Sequence, residues 1–521
     1  MSTPSEIVEI VLGLLVVVAA LVTVARQVGV PYPIALVLGG LALGFIPHLP
    51  TITLSPDIVF LLFLPPLLYW EALNTPLREF RASLRPILFL AIGLVLMTMT
   101  IVAIIAHLVI GLSWPVGFVL GAIISPTDTV AAAAIAQRLS LPRRVVAILE
   151  GESLLNDATA LVAYGTASAV VLSGNFSLMQ AGWQFLGGSI GGIAIGLLVG
   201  VIIVWVRRML HDSPVENTIS LLSGFAAYLP AQALGFSAVL AVVAMGLFLE
   251  RQGPSIVSPQ TRLQAIQLWQ VVVFLLNGLL FILVGLQLNI ILASHALPPF
   301  WTLLGDAALI CLTVILVRIA WVFPAAYLPF RLSRRLREST QAFTWKEVSI
   351  VAWTGMRGGV SLAAALALST TFPGRDLIVF LTFCVILATL VLQGLTLPPL
   401  IRRLEVTDDG ALEKEEVKAR KKILHAAMAR LEELANEEWV PQDMVHEIRE
   451  HYQQHGQKVR ASLDGDDLFS ERIAAYQRLQ RELLTTKRRA LIALRNQDTI
   501  NDEVLRIIQH DIDVEEVRLP H

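Results

Sequence analysis

The chain has 521 residues, of which 55% are hydrophobic and 15% are charged, and its formal net charge is −2. Soluble globular domains carry about 25% charged residues. The apolar excess here falls in long runs, such as residues 7–25, that match the ~20 residues of a bilayer crossing. Composition therefore excludes a single large soluble core and predicts an all-α polytopic membrane protein. The two cysteines, Cys311 and Cys384, lie inside apolar runs, which excludes a disulfide framework and a thiolate metal site.

The apolar runs predict about thirteen transmembrane helices. No Lys or Arg precedes Arg26, so the first run is expected to remain as a helix and not to be removed as a secretory signal. The second, eighth and ninth runs are short for a full crossing. The approximate limits are 7–25, 33–47, 55–73, 86–111, 115–137, 145–172, 183–206, 217–233, 236–250, 264–291, 300–328, 346–371 and 375–401.

Arginines alternate between the two sides of this arrangement. Loops after odd-numbered spans are rich in arginine, whereas loops after even-numbered spans carry almost none, Arg375 being the exception. Because cytoplasmic loops are enriched in Lys and Arg, we expect the N-terminus outside and the C-terminus in the cytoplasm, with the protein in the plasma (inner) membrane. The arginines concerned are Arg26, Arg78, Arg81, Arg85, Arg138, Arg143, Arg144, Arg207, Arg208, Arg251, Arg262, Arg331, Arg334, Arg335 and Arg337.

The composition changes after Leu404. Between residues 405 and 521 the acidic residues outnumber the basic ones by 25 to 18, whereas in residues 1–404 the basic ones lead by 21 to 16. We expect a transmembrane domain at 1–404 and a cytoplasmic tail at 405–521 with helices near 411–437, 441–462, 466–496 and 499–510. Leu479 and Leu483 fall on a partly apolar helix face. Solvated helices are the first interpretation of the tail, and contact with a regulator or a partner subunit is the alternative.

Few ionisable residues lie inside the spans, and each is a candidate for function because a charge in lipid is expensive. Those well inside their spans are Asp128, Glu152, Asp157, Arg318 and Arg357. Four others lie near span ends, where water or lipid headgroups are expected to solvate them: Asp57, Glu71, Asp306 and Asp376.

Span five contains the stretch Ser125-Pro126-Thr127-Asp128-Thr129. Pro126 lacks an N–H and clashes with the preceding turn, so the helix is expected to break there. In a membrane such a break is tolerated where the freed backbone groups line a cavity or contact protein. The freed carbonyls, with Thr127, Asp128 and Thr129, offer hard oxygen ligands to an alkali cation. A simple proline kink with a satisfied aspartate is the alternative.

Span six begins with a polar strip of Glu152, Ser153, Asn156 and Asp157. At 3.6 residues per turn these side chains lie within an arc of about 140°. Lipid would not accept such a strip, so it is expected to face a cavity or another polar helix. A purely structural polar seam is the alternative.

Two arginines lie in later spans. Arg318 cannot release its proton to escape burial, so it needs a carboxylate partner, and Glu152 is the natural candidate because it leaves Asp157 free. Arg357 lies within the stretch Gly355–Gly359, whose glycines predict a second interrupted helix in span twelve. Whether Arg318 or Arg357 pairs with Glu152 stays open at this stage.

The two interrupted spans, five and twelve, are seven spans apart. If spans one to six repeat as spans eight to thirteen, with span seven as a linker, the two interruptions occupy equivalent positions in copies of opposite orientation. Paired interrupted helices in inverted repeats point to a substrate site near the middle of the membrane.

In these motifs the sequence resembles the NhaP and NHE branch of the monovalent cation:proton antiporters. The matching stretches are 125–128, 150–157 and 355–359, and the resemblance covers residues 1–404. It implies a homodimer of 13-helix subunits in which spans five and twelve cross as broken helices. It also implies a core domain, at about 86–172 and 300–401, and a dimerisation domain, at about 7–73 and 183–291.

The resemblance also implies the site. Asp157 would carry the cation or the proton, and Asp128, Ser153 and Thr127 would supply further oxygens to Na⁺. Asn156 stands where the electrogenic NhaA-like branch has an aspartate, which implies electroneutral exchange of one proton per cation. The residues expected to support this arrangement are the ion pair of Glu152 with Arg318 and the broken-helix residues Pro126, Arg357, Gly355 and Gly358.

We therefore expect a secondary antiporter that exchanges Na⁺, or Li⁺ or K⁺, for H⁺ by alternating access, with cation and proton competing for Asp157. No cofactor, nucleotide or nucleic acid is expected, and membrane lipid and a second subunit are the expected partners. A K⁺/H⁺-selective antiporter is the nearest alternative, followed by an ion channel, a sensor with the tail as output, and a transporter of organic anions. An enzyme is the weakest alternative, because no catalytic motif, metal motif or phosphate loop is present.

Overall fold

The computed structural model is helical, with no strand, in the part of the chain that it describes. Asp57 and Thr129 lie outside the described residues, and within 130–137 only residues 130, 132, 135 and 136 are described, all of them helical. The chain divides into two compact units, Met1–Asp408 and Asp409–His521. The described residues are 4–46, 59–128, 130, 132, 135–136, 139, 141–173, 178–210, 212–292, 298–332, 343–369, 371–406, 411–437, 440–450, 452, 467–497 and 502–517.

Within the described residues, each predicted span overlaps a helix of the first unit, and the twelfth span contains two. The helices are α1 (Pro4–Val28), α2 (Tyr32–Gly44), α3 (Leu64–Asn74), α4 (Leu84–Ile110), α5 (Trp114–Ile124), α6 (Arg143–Ser173), α7 (Leu178–Met209), α8 (Ser213–Ala233), α9 (Ala238–Ile256), α10 (Pro259–Leu292), α11 (Phe300–Leu332), α12a (Trp345–Trp353), α12b (Gly359–Leu366) and α13 (Arg375–Leu404). A short helix, Leu77–Ala82, joins α3 to α4, and a π-helical turn, Val59–Phe63, precedes α3.

Seven of the described helices are long and apolar enough to cross a membrane: α1, α4, α6, α7, α10, α11 and α13. Two shorter helices, α2 and α5, are also apolar. The predicted interruptions lie at 125–128, after α5, and at 354–358, between α12a and α12b. The protein is therefore an all-helical integral membrane protein with several apolar spans and two breaks inside apolar segments.

The helices of the first unit pack in two groups. In one group α2 packs on α10, α7 packs on α9, and α3 packs on α8 and α9; in the other, α5 packs between α4 and α6, and α11 contacts α4, α12a and α13. The helices of the first group approach closely at α2 and α10. A Cβ at Gly40 would collide with the Ile282 carbonyl, and one at Gly285 would collide with the Val37 carbonyl. Small residues allow such close packing where the hydrophobic effect is weak.

The second unit contains α14 (Ala411–Leu434), α15 (Asp467–Asn496) and α16 (Asp502–Val517), with helix also at 442–450. Leu484 and Leu491 of α15 pack against Ile512 of α16. Leu479 and Leu483, on the partly apolar face noted in the sequence, are 58% and 49% exposed. The last helix also extends beyond the predicted limit at 510.

Replacing Gly285 with valine is expected to lower thermal stability, because the new side chain would collide with the backbone of α2. Overpacking of this kind costs about 1–3 kcal/mol. The apparent Tm of the detergent-solubilised protein measures the effect. Gly305→Val in α11 is the matched control, since a Cβ at Gly305 meets nothing within 4 Å. Equal Tm values for the two variants would argue against the close approach.

Candidate functional site

The two broken segments of the first unit meet each other directly. The backbone N–H of Asp128 donates a 2.8 Å hydrogen bond to the carbonyl oxygen of Met356. A Cβ at Gly358 would collide with the carboxylate of Asp128, so only glycine allows this approach. Asp128 Oδ1 accepts a 2.8 Å bond from the N–H of Val130, where helix resumes. Backbone groups freed by the two breaks thus find partners inside the protein, as a membrane environment requires.

Thr127 is held in place by the polar strip of α6. Its hydroxyl donates to Glu152 Oε1 at 3.1 Å and accepts from Asn156 Nδ2 at 2.6 Å. Its carbonyl oxygen accepts from Ser153 Oγ at 2.9 Å. Three of the four polar residues of the strip therefore contact one threonine, which explains how α6 buries them. The fourth, Asp157, is also buried.

Glu152 and Arg318 form an ion pair in which both side chains are only 1% exposed. Arg318 Nη1 donates to Glu152 Oε1, and Nη2 donates to Oε2 at 2.9 Å. Arg318 also donates from Nε and Nη2 to the carbonyl oxygen of Val351 in α12a, at 3.2 and 3.0 Å. A Cβ at Gly355 would collide with the Arg318 side chain, so this glycine makes room for the arginine.

Arg357 has a different environment from Arg318. It is fully buried, and its Nε, Nη1 and Nη2 have no hydrogen-bond partner among the described residues. Its backbone N–H donates to Thr389 Oγ1 at 3.0 Å. Of the two arginines that could have paired with Glu152, the structure thus joins Arg318 to this glutamate.

A cavity of about 50 Å³ lies between the two groups of helices. Residues of α3 and α10 line one side, and residues of the α5 break, α6 and α12b line the other. Such a volume accommodates only a few water-sized species. The polar or charged side chains that line it are Glu71, Thr127, Asp128, Ser153, Asp157, Asn277 and Ser361.

Three of these lining residues, Glu71, Asn277 and Ser361, were missed by the sequence analysis. Glu71 was expected to be solvated near a span end, and Asn277 was not singled out. The structure places Glu71 of α3 on the same cavity as Asp128 and Asp157, and Asn277, which is buried, beside them. A carboxamide inside the tenth apolar run was a usable signal for Asn277. No local pattern marks Glu71, because its position depends on how α3 packs against the other group of helices.

The arrangement offers oxygen ligands but not a closed metal shell. Within the described ranges, no group of three His, Cys, Asp or Glu side chains lies close enough together to hold a metal ion. Carboxylate, hydroxyl and carbonyl oxygens are hard ligands, which suit alkali and other hard cations. The site can therefore hold a small cation or a proton reversibly, and it contains no nucleophile–base pair for catalysis.

Glu152→Gln is expected to destabilise the protein by about 3–5 kcal/mol, because it leaves Arg318 buried without its counter-charge. The measurement is the Tm of the solubilised protein and its amount in membranes. Glu150→Gln, on the same helix but only half-buried, is the control. The double variant Glu152→Leu/Arg318→Met is expected to recover most of the lost stability, and a single variant as stable as the wild type would contradict the importance of the pair.

Comparison with known proteins identifies the relatives of this chain. The family model described as "Sodium/hydrogen exchanger, transmembrane" matches residues 13–403. A protein of Mycobacterium tuberculosis named as a Na⁺/H⁺ exchanger is 38% identical over 98% of this chain and 97% of its own length. A sodium, potassium, lithium and rubidium/H⁺ antiporter of Bacillus pumilus is 31% identical over 83% of this chain and 67% of its own length.

The fold has a counterpart among solved structures. The sodium proton antiporter MjNhaP1 of Methanocaldococcus jannaschii superposes with a TM-score of 0.62 at 21% identity, covering 76% of this chain and 98% of its own. At that identity the similarity shows the fold. The match to the family model, together with a full-length relative at 38% identity, shows the family as well. The chain is a membrane transporter, not an enzyme, and it belongs to the sodium/hydrogen exchanger family.

Proposed function

We propose that this protein exchanges Na⁺ for H⁺ across the membrane and that Asp157 carries the exchanged ion. The observation that supports this best is the cavity between the two groups of helices, where Asp157 faces Asp128 and Glu71. A buried carboxylate in so small a cavity is costly without a proton or a cation. The same side chain can therefore bind either ion, and each excludes the other.

Two of the other carboxylates around the crossing already have partners, which favours Asp157 over them as the exchanging group. Glu152 is bound by Arg318 and Thr127. Asp128 accepts from the N–H of Val130 at the helix break. Ser153 and the carbonyl of Thr127 border the cavity beside Asp157 and supply further oxygens to Na⁺, with Asp128 as the second carboxylate.

Alternating access follows from the position of the cavity. One of its walls belongs to α3 and α10, and the other to the α5 break, α6 and α12b. If the second group moves against the first, the cavity opens to one side of the membrane and then to the other. The movement occurs only when Na⁺ or H⁺ neutralises Asp157. A bare carboxylate would be too costly to move across the apolar barrier.

The proposal extends to stoichiometry and assembly. Asn156 stands where the electrogenic NhaA-like branch has a second aspartate, which supports the exchange of one proton per cation. The arrangement consists of thirteen spans in inverted repeats, with the N-terminus outside, the C-terminus in the cytoplasm and two subunits per transporter. The helices α4–α6 and α11–α13 form the moving core, and α1–α3 and α7–α10 form the dimerisation scaffold.

K⁺/H⁺ exchange is a second candidate. The Bacillus pumilus relative is named for sodium, potassium, lithium and rubidium, and hydroxyl and carboxylate oxygens bind all of these ions. Proton flux in everted vesicles challenged in turn with Na⁺, Li⁺ and K⁺ separates the candidates. Dominant K⁺-driven flux would replace the Na⁺ assignment, and cation flux without any counter-flow of protons would favour a channel.

Asp157→Asn is expected to abolish Na⁺-driven proton flux in everted vesicles, because an amide cannot alternate between cation and proton. The Tm of the variant is expected to stay within a few degrees of the wild-type Tm, because Asp157 does not belong to the Glu152–Arg318 ion pair. Asp306→Asn, a span carboxylate outside the cavity, is the control and is expected to keep most of the flux. Wild-type exchange by Asp157→Asn would refute the assignment.

One-to-one exchange predicts a transport rate that does not depend on membrane potential, because no net charge moves in a cycle. Proteoliposomes with potentials of either sign imposed before Na⁺ addition provide the measurement. A rate that rises with one polarity and falls with the other would show that more than one proton moves per cation.

A further inference from the structure

Helix α13 carries buried polar side chains where it faces the break in α12. Thr389 is fully buried, and Gln393 is 1% exposed. Both belong to a π-helical turn, Thr389–Gln393, within α13. Turns of this kind inside an α-helix are rare and are frequent at functional sites. Polar groups inside a membrane protein need partners within the protein, so the surroundings of these two residues matter.

The π-helical turn contacts the α12 break through Thr389. Thr389 Oγ1 accepts a 3.0 Å hydrogen bond from the backbone N–H of Arg357. Gly394, which follows the turn, lies close to α2 and to the break, since a Cβ there would lie 2.7 Å from Ile34 Cδ1 and 3.7 Å from the sulfur of Met356. Gln393 therefore lies on α13 one helical turn after the residue that contacts Arg357.

The unpartnered atoms of Gln393 and Arg357 are complementary. Arg357 Nε, Nη1 and Nη2 are donors without partners, and Gln393 Oε1 is an acceptor without a partner, among the described residues. Leaving buried donors and acceptors of this kind unpaired is strongly unfavourable. The hydrogen bonds that Glu152 accepts come from Arg318 and Thr127, and none comes from the guanidinium of Arg357.

We propose that Gln393 is a positioning residue for Arg357: its amide oxygen accepts from the guanidinium, directly or through one water, and holds an uncompensated positive charge beside the ion site. The neutrality of the amide is essential to this role. A carboxylate at the same position would fix the guanidinium equally well but would cancel its charge. The inference rests on the proposed exchange at Asp157 and extends it to a residue of α13.

The charge matters because of the groups around it. Glu152 on α6 and Arg318 on α11 compensate each other, whereas the α5 break, α6 and α3 present Asp128, Asp157 and Glu71 to the cavity. A retained positive charge at Arg357 weakens the binding of both Na⁺ and H⁺ to these carboxylates. A unit charge that acts over ~10 Å at an effective dielectric of ~20 changes such binding by about one pH unit.

The test compares three variants in vesicles, with Na⁺-driven proton flux followed from acid to alkaline pH. Gln393→Glu is expected to move the alkaline limb of the pH profile upward by about one unit and to lower the KM for Na⁺ at alkaline pH. Gln393→Met keeps the charge but loses the acceptor, so it is expected to lower kcat severalfold without that alkaline shift. Thr396→Val is the matched control, because Thr396 lies on α13 like Gln393 and accepts a hydrogen bond from Trp353 Nε1 of α12a. The variant removes this bond and is expected to leave the pH profile unchanged.

Three outcomes would overturn the inference. They are a wild-type pH profile and KM in Gln393→Glu, the same alkaline shift in Gln393→Met, or the same shift in the Thr396 control. If Gln393→Glu does not accumulate in the membrane, Arg357→Gln takes its place, since it removes the same charge and is expected to give the same alkaline shift. Wild type and Asp157→Asn assayed in the same vesicles separate the two proposals, because absent wild-type exchange would refute the proposed function itself.

Discussion

The buried pair of Glu152 and Arg318 is the interaction on which the rest of the site depends. It joins α6 to α11, and through Val351 it reaches α12a. Through Glu152 it also contacts Thr127 in the α5 break. A buried ion pair of this kind contributes little net stability over an apolar core, but breaking it is costly. Its value here is geometric, because it holds four segments in one arrangement.

Around this pair the buried charges have separate roles. Glu152 is neutralised permanently, whereas Asp128 closes a helix break with its own side chain and backbone. Asp157 lines the cavity together with Asp128 and Glu71. Arg357 is a further buried cation, and its backbone N–H donates to Thr389. In a low-dielectric interior each of these charges influences the others strongly.

The cavity is shared between two bodies of packed helices, and that sharing connects the static structure to transport. Asp157 and Asp128 belong to one group of helices, and Glu71 and Asn277 belong to the other. Under the proposed alternating access, a relative movement of the two groups would change the ligands that the cavity offers, while the Glu152–Arg318 pair would stay intact within one group. The close contact at Gly40 and Gly285 gives the other group a tightly packed scaffold.

The sequence by itself determined the membrane class, the helical runs, the breaks near Pro126 and Gly355–Gly359, and the polar strip of α6, because each follows from local composition, ring geometry or helical period. Only the tertiary structure decided which arginine reaches Glu152, since Arg318 and Arg357 are equally charged and both lie in apolar runs. It also decided that Glu71 faces the cavity and that Leu484 and Leu491, not Leu479 and Leu483, form the buried cluster with Ile512. Those outcomes depend on how separate helices dock, and docking is set by contacts between residues far apart in the chain, which no local pattern records.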